Sequence, residues 1–232
     1  YIPFSITCKT LFIYQILLSL KYLHSANVVH KNLNSSNIMV NSNCDIKIQT
    51  VDTWNVGEYV SCRWYRAPEV LLGQYITSSA DVWSVGCILY ELIMRSPLFF
   101  GNSTMDQLQK IISKIGSPTD DDLFYLTDGE AKNYIKSLKK VDQIDWRTKL
   151  VPKASKNEID LLNAMLVWNP AKRISVEESL KHDYFKDLYD PSDESCCSEI
   201  NIPKVGQFTD ESDFRKYFWN EIQRIRENKK YK

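Results

Sequence analysis

Val28-Val29-His30-Lys31-Asn32-Leu33-Asn34-Ser35-Ser36-Asn37-Ile38 is a polar, amide-rich stretch between two segments of different periodicity. Before it, Phe12, Ile13, Ile16, Leu17, Leu20 and Leu23 recur at helical spacing and predict a helix with one buried face. Lys21 of that helix can stay wet, and His24 near its end reads as structural. After the stretch, Ile38-Met39-Val40 and Ile46-Lys47-Ile48 predict a short hairpin around the turn Asn41-Ser42-Asn43. The chain then turns helical. Trp83 to Met94 is apolar nearly all round and predicts a helix buried in the middle of the body. Leu108 to Ile115 and Glu158 to Leu166 are amphipathic, each followed by a glycine or proline stop. Beyond Tyr189 the chain is polar and irregular until Phe214, Tyr217, Phe218, Ile222 and Ile225, the pattern of a terminal helix expected to pack back on the body.

Composition narrows the classes. With 232 residues, 44% apolar and 25% charged, the chain can bury a full core, and one compact unit plus a tail is expected. Its 29 basic and 29 acidic residues give no general attraction to nucleic acid or to an anionic membrane. The basic end Lys229-Lys230-Tyr231-Lys232 reads as a solvated terminus. No segment reads as a signal peptide or membrane span, since even Leu11 to Leu23 is broken by Gln15, Ser19 and Lys21. Six cysteines without C-x-x-C spacing suggest reduced thiols, and an intracellular, monomeric protein is expected.

Downstream of the opening stretch come Tyr59-Val60-Ser61-Cys62-Arg63-Trp64-Tyr65-Arg66-Ala67-Pro68-Glu69 and Asp81-Val82-Trp83-Ser84-Val85-Gly86-Cys87. Then follow Gly101 with Met105-Asp106-Gln107-Leu108, Ile115-Gly116-Ser117-Pro118, Ala131-Lys132-Asn133-Tyr134, Asn169-Pro170-Ala171-Lys172-Arg173 and Tyr189-Asp190-Pro191-Ser192-Asp193-Glu194. In this order the blocks resemble the mitogen-activated protein kinases, nearest the extracellular-signal-regulated branch, from about Leu11 to about Ile225. The resemblance implies a mainly α fold, the large C-terminal lobe of a protein kinase with its short β-hairpin. Residues 1–186 would form that lobe, and 187–232 the family's C-terminal extension. With seven glycines, no G-x-G-x-x-G loop and no strand lysine ahead of Leu11, the small β-rich lobe is expected to be absent from this chain.

Against the family's H-R-D-L-x-x-x-N loop, His30, Leu33 and Asn37 stand in place while Asn32 occupies the position of the proton-accepting aspartate. An amide cannot accept that proton. Asn34 stands where a lysine would neutralise the transferred phosphoryl, and Ser35 where proline is usual. Thr50 takes the place of the metal-binding aspartate, with Asp52 two places late, so Asn37 is the remnant of the metal ligands. One neutral amide is too little for Mg²⁺, and neither ATP nor Mg²⁺, the family's cofactors, is expected to bind productively.

Gly57-Glu58-Tyr59 replaces the activating Thr-x-Tyr pair, and Lys31 replaces an arginine that would clasp phosphothreonine. Tyr59 fits either a phosphorylation site paired with Arg63 or Arg66, or a packed structural tyrosine. The resemblance gives structural roles to His30 as a packing residue, Glu69 with Arg173 as an ion pair, and Asp81 as an acceptor for the loop backbone. It makes Asp190, Asp193 and Glu194 an acidic docking patch with Leu11 and Cys44 as apolar walls, although Asp-Pro-Ser-Asp is also good turn chemistry. Leu72, Met105, Leu108 and Tyr134 suggest a second recess that core packing would explain nearly as well.

Three functions stay open at this point. The leading expectation is a catalytically inactive docking or scaffold module in the cytoplasm or nucleus, binding basic docking peptides of kinases, phosphatases and substrates. The alternative is an ATP-dependent, proline-directed serine/threonine kinase represented here by a fragment. The third is a decayed fragment without function.

Overall fold

A computed structural model describes residues 6–49, 63–126, 129–142, 150, 153–199 and 210–229. Two compact units divide the chain, residues 1–199 and 200–232. The first is built on helix α1, Ile6–Ser25, which extends the predicted helix at both ends. Ile13, Ile16, Leu17 and Leu20 lie on its buried face, spaced so that their side chains stack over successive turns. A single turn of 3₁₀ helix at Ser35–Asn37 leads into strands β1, Ile38–Val40, and β2, Ile46–Ile48, paired antiparallel with Met39 opposite Lys47. The hairpin and its turn fall where sequence puts them.

Helices α2, Pro68–Leu71, and α3, Ser78–Met94, follow, and α3 is the buried axis of the body. Trp83, Val85 and Leu89 are wholly buried, and the Trp83 ring stacks on Phe99 at 5.6 Å. Helix α3 begins at Ser78 rather than near Trp83, because its polar first turn still packs, with Ala80 and Asp81 buried. Helices α4, Thr104–Ile115, α5, Gly129–Ser137, α6, Lys156–Met165, and α7, Val176–Leu180, complete the unit. Gly116 ends α4 with φ of 85°. Ser155 with Glu158 and Ser175 with Glu178 form capping boxes that start α6 and α7.

Helix α1 packs on α3 and α7, and α3 packs on α6. Gly86 lets α3 approach α6: a Cβ there would stand 3.0 Å from Leu166 and 3.1 Å from Met165. An interior ion pair joins α1 to α6, Lys9 Nζ donating to Glu158 Oε1 at 2.9 Å with both side chains buried.

The first compact unit runs to residue 199. Residues 190–199 run as a strap beside α1, because polar groups of that helix and of Asn27 just after it hold them. The Tyr14 hydroxyl accepts from the Asp190 amide at 3.1 Å, the Ser25 hydroxyl accepts from the Cys197 amide at 2.8 Å, and Asn27 donates to Glu199 at 2.9 Å. The second unit contains helix α8, Glu211–Lys229, with Phe214, Phe218, Trp219 and Ile222 partly or largely exposed. Among the described residues no helix is long and apolar enough to cross a membrane.

Candidate functional site

The loop of the opening stretch hangs from one carboxylate. Asp81, 1% exposed in the first turn of α3, accepts from the His30 amide and the Lys31 amide, each at 2.9 Å, while His24 Nε2 lies 2.8 Å from its Oδ2. Lys31 takes a left-handed φ of 69° to present its amide there. His30 is oriented from both ring nitrogens: Nδ1 accepts from the Asn32 amide at 3.3 Å, and Nε2 lies 3.2 Å from the Gln49 carbonyl.

The three loop asparagines are bound into one another. Asn34, buried, donates through Nδ2 to the Asn32 carbonyl at 3.0 Å and accepts through Oδ1 from the Ser36 amide at 3.0 Å. Asn37, also buried, donates to the same Asn32 carbonyl at 2.7 Å. Asn34 is therefore a cap for the 3₁₀ turn, with both ends of its amide in use. The Oδ1 atom of Asn32 is buried and finds no hydrogen-bond partner among the described residues. An arrangement of neutral amides offers neither a general base nor an anionic ligand. Hard Mg²⁺ prefers carboxylate and phosphate oxygens, so the described donors do not fit it. Thr50, Asp52, Glu58 and Tyr59 lie outside the described residues.

Around this loop the supporting contacts are dense. Ser35 Oγ lies 2.9 Å from the Tyr65 hydroxyl, which donates to Glu91 of α3 at 2.6 Å. Burial first, and then the Glu91 contact, push the Tyr65 hydroxyl well above the ordinary phenol range. Arg63 donates to the Asn102 carbonyl at 3.1 Å, and half-buried Arg66 follows in the same 3₁₀ turn's exit. Trp64 Nε1 donates to the Gly101 carbonyl at 3.0 Å, and Gln107 Oε1 accepts from the Gly101 amide at 2.9 Å. A Cβ on Gly101 would fall 2.6 Å from the Gln107 Cα, so only glycine fits.

Glu69 and Arg173 form a bidentate pair at 2.7 and 3.0 Å, essentially unexposed. Arg173 also donates to the Ser79 and Val167 carbonyls and lies 5.2 Å from the Trp83 ring centroid. Of the suggested second recess, Leu108 is core at 1% exposure and cannot line a surface site. Leu72 and Tyr134 pack half-buried against that core, leaving Met105 the exposed member at 51%.

The acidic turn is built differently from a run of free carboxylates. Asp190 caps the Pro191–Asp193 turn, accepting from the Ser192 amide and hydroxyl at 2.8 and 2.7 Å, and these bonds hold its carboxyl below the usual range. Glu194 is paired with Lys21, which lowers its carboxyl and raises the lysine. Asp193 accepts from the Tyr14 hydroxyl at 3.2 Å, stays exposed, and rims a cavity of about 390 Å³ lined by Leu18, Tyr22, Leu23 and Ile48. Leu11 lines a second cavity of about 430 Å³ with Tyr184 and Leu188, while Cys44 sits at φ 65° in the hairpin turn. Gln15 joins that turn to α1, donating to the Cys44 carbonyl at 3.0 Å and accepting from the Ile46 amide at 3.1 Å. Leu11, Gln15, Leu18 and Tyr22 recur at three and four residues along α1 and so share one side of the helix, between the hairpin turn and the acidic strap. Tyr14, Gln15 and Lys21 were not singled out by sequence for this site. The periodicity that reveals apolar faces says nothing of polar residues flanking them.

A family model described as the protein kinase domain matches residues 3–185. The chain belongs to the protein kinase family. It is 44% identical over 200 residues to mitogen-activated protein kinase mpk-1 of Caenorhabditis elegans, covering 81% of this chain and 45% of that protein. It is 44% identical over 220 residues to mitogen-activated protein kinase homolog NTF6 of Nicotiana tabacum, covering 90% and 59%. Mitogen-activated protein kinase 5 of Oryza sativa is 40% identical over 229 residues, 95% of this chain and 62% of the relative. These likenesses put the chain on the mitogen-activated branch of that family. It spans about half to three-fifths of the length of those relatives. The helical body with one two-stranded antiparallel sheet agrees with the large lobe of that domain.

Proposed function

We propose that this chain is the large-lobe portion of a mitogen-activated-protein-kinase-type signalling protein and that it recruits basic docking peptides. The observation that carries the docking reading is the acidic strap. Asp190 and Asp193 are exposed carboxylates fixed in position by Ser192 and Tyr14, beside an apolar cavity. A peptide with clustered Lys or Arg followed by spaced leucines matches both halves of that surface. Upstream kinases, phosphatases and substrates in the cytoplasm or nucleus are the partners this reading names.

Two readings of activity attach to it. Relatives named as mitogen-activated protein kinases support an ATP-dependent serine/threonine kinase, with the full gene product supplying what this chain lacks. The amide-bound loop supports a non-catalytic role, since Asn34 is consumed as a cap and Asn32 offers no base. Removing a general base typically costs about 10² to 10⁴ in rate.

Calorimetric titration tests docking. Binding in the micromolar range, near −8 kcal/mol, is expected to weaken with salt and to fall about tenfold in the Asp190→Asn/Asp193→Asn double variant through lost charge-assisted bonds. Equal affinity for that variant, or for a peptide with its basic residues neutralised, overturns the docking reading. A radiolabel assay of the full gene product with a proline-directed substrate separates the two readings of activity: turnover abolished by changing Asn37 establishes the kinase, and background signal leaves the docking module.

A further inference from the structure

We propose that the docking peptide carries an apolar side chain ahead of its basic cluster, and that this side chain seats in the cavity of about 430 Å³ that Leu11 lines; the inference rests on the docking reading above. The cavity has Leu11 of α1, the Tyr184 ring and Leu188 as walls, with Ser155 and Asn157 from the start of α6 at its edge. Its polar side chains are spent within the protein. Ser155 Oγ accepts from the Glu158 amide at 3.2 Å, and Asn157 Nδ2 donates to the Asp183 carbonyl at 3.3 Å. The Tyr184 hydroxyl donates to Glu158 Oε1 at 3.5 Å, the same oxygen that Lys9 holds. What the cavity offers a ligand is chiefly hydrocarbon. Two exposed carboxylates, Asp183 and Asp187, stand at it against one exposed lysine, Lys186. An apolar side chain borne on a basic segment complements both features.

Helical spacing joins this cavity to the acidic strap. Leu11 lines it, Leu18 and Tyr22 line the cavity beside Asp193, and all three residues share one side of α1. From Leu11 to Leu18 the helix rises about 10 Å, a gap that about three extended residues cross. Tyr14 stands between the two, and Tyr14 holds the acidic turn: its hydroxyl accepts from the Asp190 amide at 3.1 Å and donates to Asp193 at 3.2 Å. The carboxylates therefore overlook the gap, and an apolar recess opens at either end of it. A peptide that lays two or three Lys or Arg over Asp190 and Asp193 reaches one recess with its spaced leucines and the other with the residue just before its first cation. The bonds from Asn157 and Tyr184 tie the 183–188 segment to α6, so this second recess is formed before the peptide arrives and filling it costs little reordering.

The test titrates two peptides against the whole chain in a calorimeter. Both carry the basic cluster and the spaced leucines, and they differ only in the residue immediately ahead of the first cation, leucine in one and alanine in the other. The leucine peptide should bind about tenfold tighter, within what burying most of one such side chain supplies. In Asn157→Trp, whose indole fills the recess, the two peptides should bind equally. A photo-leucine at the same peptide position gives a second readout that needs no altered protein: on irradiation it should attach at Leu11, Tyr184 or Leu188 when the products are mapped by mass spectrometry. Equal affinity of the two peptides for the unaltered chain overturns the inference and leaves the docking reading standing. A preference for leucine that persists in Asn157→Trp, or attachment elsewhere, overturns the assigned seat. Failure of both peptides to bind overturns the docking reading and this inference with it.

Discussion

Arg173 is the residue with most to lose. Its guanidinium serves Glu69, Ser79 and Val167 and faces the Trp83 ring, and no solvent reaches it. Glu69→Ala should leave that cation buried without its partner and cost about 3–5 kcal/mol, measured as a lower midpoint in urea with unchanged slope. Arg173→Lys should cost nearly as much, because an ammonium cannot reproduce the planar fork. The pair was legible in the sequence because both members sit in recognisable motif blocks. Lys9 with Glu158 was not, and neither was the chain from Ser35 through Tyr65 to Glu91. Those partners lie in different elements with no shared period, so only the packed fold brings them together.

Elements were easier to read than their joints. The hairpin was visible because a short polar turn separates two β-branched runs, and α1 because its apolar period is unbroken. The start of α3 was hidden by Ser78 and Ser79, polar residues in a turn that packs nonetheless. The capping boxes at Ser155 and Ser175 were legible signals that apolar periodicity alone passes over. Gly86 is the joint that matters most to α3 and α6. Gly86→Val should drive a branched side chain into Leu166 and Met165, costing about 1–3 kcal/mol by overpacking, even though valine is a better helix former than glycine. Thermal unfolding followed by circular dichroism would report it as a lower Tm; an unchanged Tm would show that the two helices can part freely. The loop asparagines were the reverse case: their identities could be read, but their mutual bonding could not, since capping depends on φ and ψ at Asn34.

For the molecule as a whole, charge sets the window of stability. Asp120, Asp122, Glu178, Asp190 and Glu194 all have carboxyls held below their ordinary range by lysines, hydroxyls or amides. Each contributes stability that is present above its unfolded pKa, about 4 for such groups, and lost as pH falls through the lower folded value. Tyr65, Tyr125 and Tyr184 are shifted upward, chiefly by burial, so their contribution is full below about pH 10 and fades above it as the unfolded chain ionises first. A plateau of unfolding free energy between those limits is expected from urea titrations across pH. A maximum confined to strongly acid or strongly alkaline solution would contradict it. The strap of residues 190–199 has a different kind of consequence. It ends the body with hydrogen bonds rather than with apolar packing, so a protease nick near Leu188 would spare the buried rings yet leave Tyr14, Lys21 and Ser25 facing water. Such a clipped protein should still melt cooperatively while binding no basic peptide: a foldable shell that has lost its handle.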